Sequence, residues 1–147
     1  MSVKQQVSFN GRHKTKIFYC LLDRIEKEIK VGDRANIHVI ADGETEGVWL
    51  YTHWKGYKIH QILKTALIRG RERWDDSQYL ARIIFCEMIK DNIMGLTGYG
   101  ISSQIHDNDR AIIHVYSDKQ TILIKDKLRT FEEFITEDYA EEDDIIK

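Results

Sequence analysis

The chain has 147 residues, a formal net charge of -2 and no proline. Its 42% hydrophobic and 31% charged residues are typical of a globular domain that is long enough to bury a core without a disulfide or a metal. The near-neutral charge disfavours duplex DNA as a partner, and no apolar run approaches the roughly 18 residues that a membrane span needs.

The first half of the chain contains three helical patterns and two strands. Apolar residues recur at helical spacing over 15–30, which predicts an amphipathic helix. Alternation then predicts strands over 35–40 and 48–54, which we expect to pair antiparallel. Helical stripes over 57–69 and 77–91 follow as a pair.

The second half is dominated by strands. A glycine-rich loop at 95–100 leads into predicted strands over 99–105, 111–116 and 121–125, the last two forming a hairpin. A capping-box pattern then opens a final helix at Thr130.

This order predicts an α+β fold with a single mainly antiparallel sheet of about five strands. A helix pair is inserted between the second and third strands, and further helices lie at the N- and C-terminal ends. We divide the chain into an N-terminal helical extension at 1–33, an α+β core domain at 34–136 and an acidic tail at 137–147.

The junction between the second strand and the following helix is the first candidate binding surface. Trp49, Tyr51 and His53 should share one strand face because side chains alternate with a period of two. Aromatic rings with arginines nearby are a common way to hold a base and its phosphate. The alternative is that Trp49 and Trp54 pack in the core beneath a helix.

An arginine-rich segment at 69–74 is the second candidate. Arg71 and Arg73 could clamp an anion, unless they pair with the neighbouring Asp75 and Asp76. We expect this segment, the 51–57 junction and the 97–103 loop to form one pocket. The candidate ligand-binding residues are Tyr51, His53, Trp54, Tyr57, Arg71, Arg73, Trp74, Tyr99 and Ser102.

Catalytic and metal-binding motifs are absent from the sequence. There is no H-E-x-x-H, C-x-x-C or G-x-S-x-G pattern, and Cys20 and Cys86 lie far apart within helical patterns. We therefore predict no metal, no cofactor and a binding protein rather than an enzyme. The enzymatic alternative is a small nucleotide or nucleic-acid hydrolase that uses His53 or His106 as a general base.

Four motifs together resemble a group of small, mostly uncharacterised proteins of bacteriophages and prophages. They are Y-T-H-W-x-G at 51–56, R-x-R-W-D-D at 71–76, Y-L-A-R-I-I-F at 79–85 and T-G-Y-G-I-S at 97–102, and the similarity spans about 34–135. The resemblance implies a phage or mobile-element accessory protein in the cytoplasm of the host cell. By analogy, such a protein counteracts a host defence by binding.

Two kinds of target stay open at this stage. The protein could sequester an anionic nucleotide-like ligand, with Tyr51, Trp54 or Trp74 stacked on the base. It could instead block a host protein, with Trp74, Arg71 and Arg73 as the hot spot. We also expect a homodimer. A structural component of the virion is a third possibility.

Overall fold

The computed structural model describes residues 32–41, 43 and 45–138. The helix predicted over 15–30 and the part of the acidic tail beyond Asp138 lie outside the described residues. Within this part of the chain, the strands are β1 (Ala35–Ile40), β2 (Gly47–Thr52), β3 (Tyr99–Ser102), β4 (Ile113–Tyr116), β5 (Thr121–Ile124) and β6 (Lys127–Thr130). The α-helices are α1 (Ile59–Arg69), α2 (Ser77–Ile89) and α3 (Phe131–Thr136).

The strands form one mixed sheet in the order β3-β2-β1-β4-β5-β6. β1 and β2 pair antiparallel as predicted, with Ile37 opposite Leu50. β1 and β4 run parallel, with Ile37 opposite Ile113, whereas the other neighbouring strands are antiparallel. The α+β class and the helix pair between the second and third strands are therefore confirmed.

The sheet differs from the prediction in strand number and in one pairing. It has six strands rather than about five. β6 reads K-L-R-T, which lacks the apolar alternation by which strands are recognised. The parallel pair arises from the path of the chain. β3 pairs with the outer edge of β2, and the chain then crosses the sheet so that β4 pairs with the free edge of β1.

The hydrophobic core lies between one face of the sheet and the helices. Alternate residues of the central strands, such as Ile37, Leu50 and Ile113, are fully buried against Leu63 of α1 and Ile84 of α2. This is the arrangement expected of a sheet whose strands carry one continuous apolar face.

Side-chain caps define where two of the helices begin. Asp76 accepts a hydrogen bond from the backbone N–H of Tyr79 at 3.1 Å and so starts α2. Thr130 and Glu133 form the predicted capping box at the start of α3. Both caps stabilise the start of their helices by satisfying backbone donors that the first helical turn leaves unpaired.

Candidate binding surface

The sheet face opposite the core carries a row of histidine and aromatic side chains. His38 of β1 lies between Trp49 of β2 and His114 of β4 because the strand registers place it opposite both. The His38 and Trp49 rings stack with centroids 4.0 Å apart and planes inclined by 4°. The Nδ1 atoms of His38 and His114 are 3.3 Å apart, so in the neutral pair one donates to the other.

This histidine pair is set up to stay uncharged. Burial lowers the pKa of His38 below its ordinary value, and the neighbouring His114 lowers it further. Burial also lowers the pKa of His114. Desolvation disfavours the charged imidazolium, and two adjacent positive rings would repel each other. The row is therefore a packed, neutral part of the sheet near neutral pH.

A second polar and aromatic row begins at Tyr51, next to Trp49 on the same face. The Tyr51 hydroxyl and His53 Nδ1 share a hydrogen bond of 2.8 Å. Burial raises the pKa of Tyr51, and the nearby Arg34 partly offsets this effect. The Tyr51 ring also lies beside that of His106, with centroids 5.4 Å apart.

The position of His106 is controlled by a buried asparagine on β1. The Asn36 side-chain amide donates to the backbone carbonyls of His106 and Asp107 at 3.2 and 3.3 Å. Asn36 is fully buried, so these hydrogen bonds hold the segment after β3 against the sheet. The sequence alone offered no signal for this contact, because it joins residues 70 positions apart.

The 51–57 junction and the 97–103 loop are adjacent in the structure. The backbone N–H of His53 donates to the carbonyl of Gly98 at 2.8 Å. Trp54 lies against Gly98, where an added Cβ would come within 2.2 Å of the indole Nε1. Gly98 also has a φ of +92°, which other residues rarely adopt. Glycine at position 98 therefore allows both the positive φ of the turn and the packing of the Trp54 ring against the backbone.

The other three residues predicted to bind a ligand in this region, Tyr57, Tyr99 and Ser102, each have separate surroundings. Tyr57 is exposed, and the Lys58 ammonium lies 5.4 Å from the centre of its ring. Tyr99 is half-buried on β3, 5.6 Å from the ammonium of Lys55. Ser102 lies opposite Trp49, and its hydroxyl accepts a hydrogen bond from the backbone N–H of Gln104.

The arginine segment is not part of this surface. Arg71 and Arg73 follow α1, whose 11 residues separate them from the junction by about 16 Å. Arg71 forms a salt bridge with Glu132. Arg73 lies over the ring of Tyr79 at 5.2 Å. The expectation of one pocket that joins the arginines to the aromatic junction is therefore corrected.

Trp74 is a core residue and not a ligand-binding one. Its side chain is 6% exposed, and its Nε1–H donates to the carbonyl of Leu67 at 2.9 Å. Its ring packs edge-on against Phe131, with centroids 5.2 Å apart. The predictions that Trp74 stacks on a base or forms an exposed hot spot are wrong, because the turn after α1 directs the ring inward.

An exposed apolar loop leads to Gly98, the glycine that Trp54 contacts, and the sequence analysis did not identify it. Ile93, Met94 and Leu96 are 66%, 88% and 99% exposed, and Trp54 is 50% exposed. We call these four residues the apolar loop surface. The signal was present in the sequence, since residues 92–106 contain no charged side chain. Exposed loops normally carry polar residues, so an uncharged run with three exposed apolar side chains is unusual.

Within the residues described, no group of three or more His, Cys, Asp or Glu side chains is placed to hold a metal ion. No helix of this part of the chain has both the length and the apolar character to cross a bilayer. No family model, curated protein or solved structure matches the chain.

Proposed function

We propose that this protein is a phage or mobile-element accessory protein that binds a host protein through the apolar loop surface and so counteracts a host defence. The observation that carries the proposal is the exposure of three apolar side chains on the loop that leads to Gly98, which the half-exposed Trp54 contacts. Clustered exposed apolar side chains often mark a site of protein interaction. The phage origin and the cytoplasm of the host as the place of action follow from the motif resemblance.

The residue types of the apolar loop surface suit a compact contact. Full burial of a Leu, Ile or Met side chain contributes about 1.5–3 kcal/mol. Tryptophan is enriched among the residues that dominate binding energy. Met94 and Leu96 are almost fully exposed, so the loop can insert both side chains into a cleft of the partner.

A nucleotide-like ligand receives less support from the geometry. Trp54 and Tyr57 are exposed and could stack on a base. However, Arg71 lies at the other end of α1 and is paired with Glu132. Lys55 is paired with Asp91 at 3.1 Å. Phosphate is commonly recognised by cations directed at the ligand, whereas Arg71 and Lys55 are directed at carboxylates of the chain.

The hydrolase alternative also receives less support. His53 shares its Nδ1 hydrogen bond with Tyr51, and its ring lies 4.3 Å from that of Trp54. A general base needs a reacting group within hydrogen-bond reach, together with groups that stabilise developing charge. His106 is exposed on a loop, and the nearby Arg34 guanidinium, which could stabilise developing negative charge, is instead paired with Asp107 at 3.2 Å.

The test is capture of a partner from bacterial host lysate by the full-length tagged protein, with quantitative mass spectrometry. Leu96→Glu should reduce enrichment of the partner at least about tenfold, since a charge in a buried contact costs more than 1.4 kcal/mol. Ile68→Glu is the matched control, because Ile68 is 54% exposed near the opposite end of α1. Equal enrichment by both variants would refute the proposed surface.

Calorimetric titration of the purified protein with a panel of nucleotides separates the two kinds of target. We expect no heat of binding from any nucleotide. Stoichiometric nucleotide binding that is lost in Trp54→Ala would instead favour the sequestering function over the protein-binding one.

A further inference from the structure

The outer edge of β3 is unprotected in the part of the chain that the structure describes. β3 is the end strand of the sheet, and Ile101 at its centre is 59% exposed. Proteins usually guard an edge strand with charged side chains or proline, because its free backbone groups can pair with another chain. Residues 92–106 contain neither. The edge is therefore suited to accept a strand.

The register shows which backbone groups point outward. The N–H of His53 donates to Gly98, and β3 continues antiparallel with Tyr51 opposite Gly100. Hydrogen-bonded and non-hydrogen-bonded pairs alternate in such a ladder. The backbone N–H and C=O groups of Gly98 and Gly100 therefore point toward β2. Those of Tyr99 and Ile101 point away from the sheet.

We infer that β3 pairs antiparallel with β3 of a second copy of this chain, about a two-fold axis at Gly100. In this register Tyr99 lies opposite Ile101 of the second copy, so the outward backbone groups of both strands meet. This register also places an aromatic side chain opposite a β-branched one, which is a favourable cross-strand pair. Gly100 meets its own counterpart, where the absence of a side chain permits close approach.

Charge supports a second copy as the occupant. A two-fold axis brings each side chain near its own copy, so a charged edge would repel itself. The edge of β3 is neutral throughout and is therefore compatible with itself. The pairing would join two six-stranded sheets into one continuous sheet. The inference does not depend on the proposed host partner, because it uses the backbone of β3 rather than the side chains of the apolar loop surface.

A cysteine cross-link tests the register in full-length protein in which Cys20 and Cys86 are replaced by serine. A Cβ at Gly100 would contact only Tyr51 Cδ1, at 4.0 Å, so Gly100→Cys fits the fold. The two-fold axis places the two cysteines about 4.5 Å apart between Cα atoms, within the range of a disulfide. In Ser102→Cys the cysteines would be offset by four residues, or about 13 Å.

We expect oxidation to give a covalent dimer with Gly100→Cys and not with Ser102→Cys. Equal cross-linking of the two variants, or cross-linking of Ser102→Cys alone, would overturn the register. This measurement does not involve the host partner, so its failure is distinct from failure of the proposed function.

Sedimentation velocity then tests whether the edge is needed for association. Ile101→Pro removes an outward N–H but leaves the ladder to β2 intact, and it should raise the dimer dissociation constant at least about tenfold. Ile101→Val keeps the N–H and is the matched control. Circular dichroism checks that the proline variant is folded. If it is unfolded, the cross-linking comparison of Gly100→Cys with Ser102→Cys tests the inference instead. A wild-type protein that stays monomeric at about 100 µM would overturn the inference.

Discussion

The burial of Trp74 gives the sharpest test of the structure, because the sequence alone favoured a binding role for this residue. Trp74→Phe keeps an aromatic ring but removes the indole N–H that donates to Leu67. It also leaves a gap beside Phe131, against which the indole packs. If Trp74 instead faced a ligand, the same change would leave stability almost unaltered.

The expected loss combines two effects. Loss of a buried hydrogen bond costs about 0.5–1.5 kcal/mol, and the Leu67 carbonyl is left without this donor. The smaller ring costs about a further 1–2 kcal/mol through lost burial and the cavity that remains. Trp74→Phe should therefore lower the free energy of unfolding by about 2–3 kcal/mol.

Urea denaturation followed by circular dichroism measures this loss. With a slope of about 1–3 kcal/mol per molar urea, the midpoint should fall by about 1 M or more. Trp54→Phe is the matched control, because Trp54 is half-exposed and the change should cost less than about 1 kcal/mol. A loss below about 1 kcal/mol for Trp74→Phe, or a larger loss for Trp54→Phe, would refute the assignment of Trp74 to the core.

Three further predictions concern the pH dependence of stability, the contact between Gly98 and Trp54, and a helix cap. Because the folded pKa values of His38 and His114 are lowered, the unfolded chain binds more protons below about pH 6.5. Stability should thus fall as the pH drops from 7 to 5, and His114→Asn should make urea midpoints less dependent on pH across this range. Gly98→Ala should cost at least about 1 kcal/mol, because of its positive φ and the clash with Trp54, and should shift the tryptophan fluorescence spectrum; an unchanged spectrum would contradict the proposed contact. Thr130→Ala should cost about 1 kcal/mol through loss of the capping box, and unaltered thermal stability would contradict this role.

Local patterns in the sequence were sufficient for most of the secondary structure in the described residues. Alternation identified β1 and β2, and the apolar stripes identified α1 and α2. Thr130 marked a helix start because a capping side chain acts on backbone donors only two or three residues away. These features depend on short-range interactions and are therefore visible in a single sequence.

Long-range pairing could not be predicted in the same way. The parallel contact between β1 and β4 joins strands more than 70 residues apart, and alternation shows that a strand exists without showing its neighbour. The position of Arg71 and Arg73 depended on the length and direction of α1. Residues close in sequence to a candidate site were thus carried to the other end of the helix.

The amino-acid sequence by itself determined the α+β class, the helix pair and the existence of an aromatic junction and a glycine-rich loop. Only the tertiary structure decided that Trp54 is exposed while Trp74 is buried, and that the uncharged segment 92–106 forms an exposed loop and the end strand of the sheet among the described residues. The physical reason is that burial depends on what packs against a side chain from distant parts of the chain. Residue type and local spacing report a preference for burial, and the packing of β3, α1 and α2 determines which residues satisfy it.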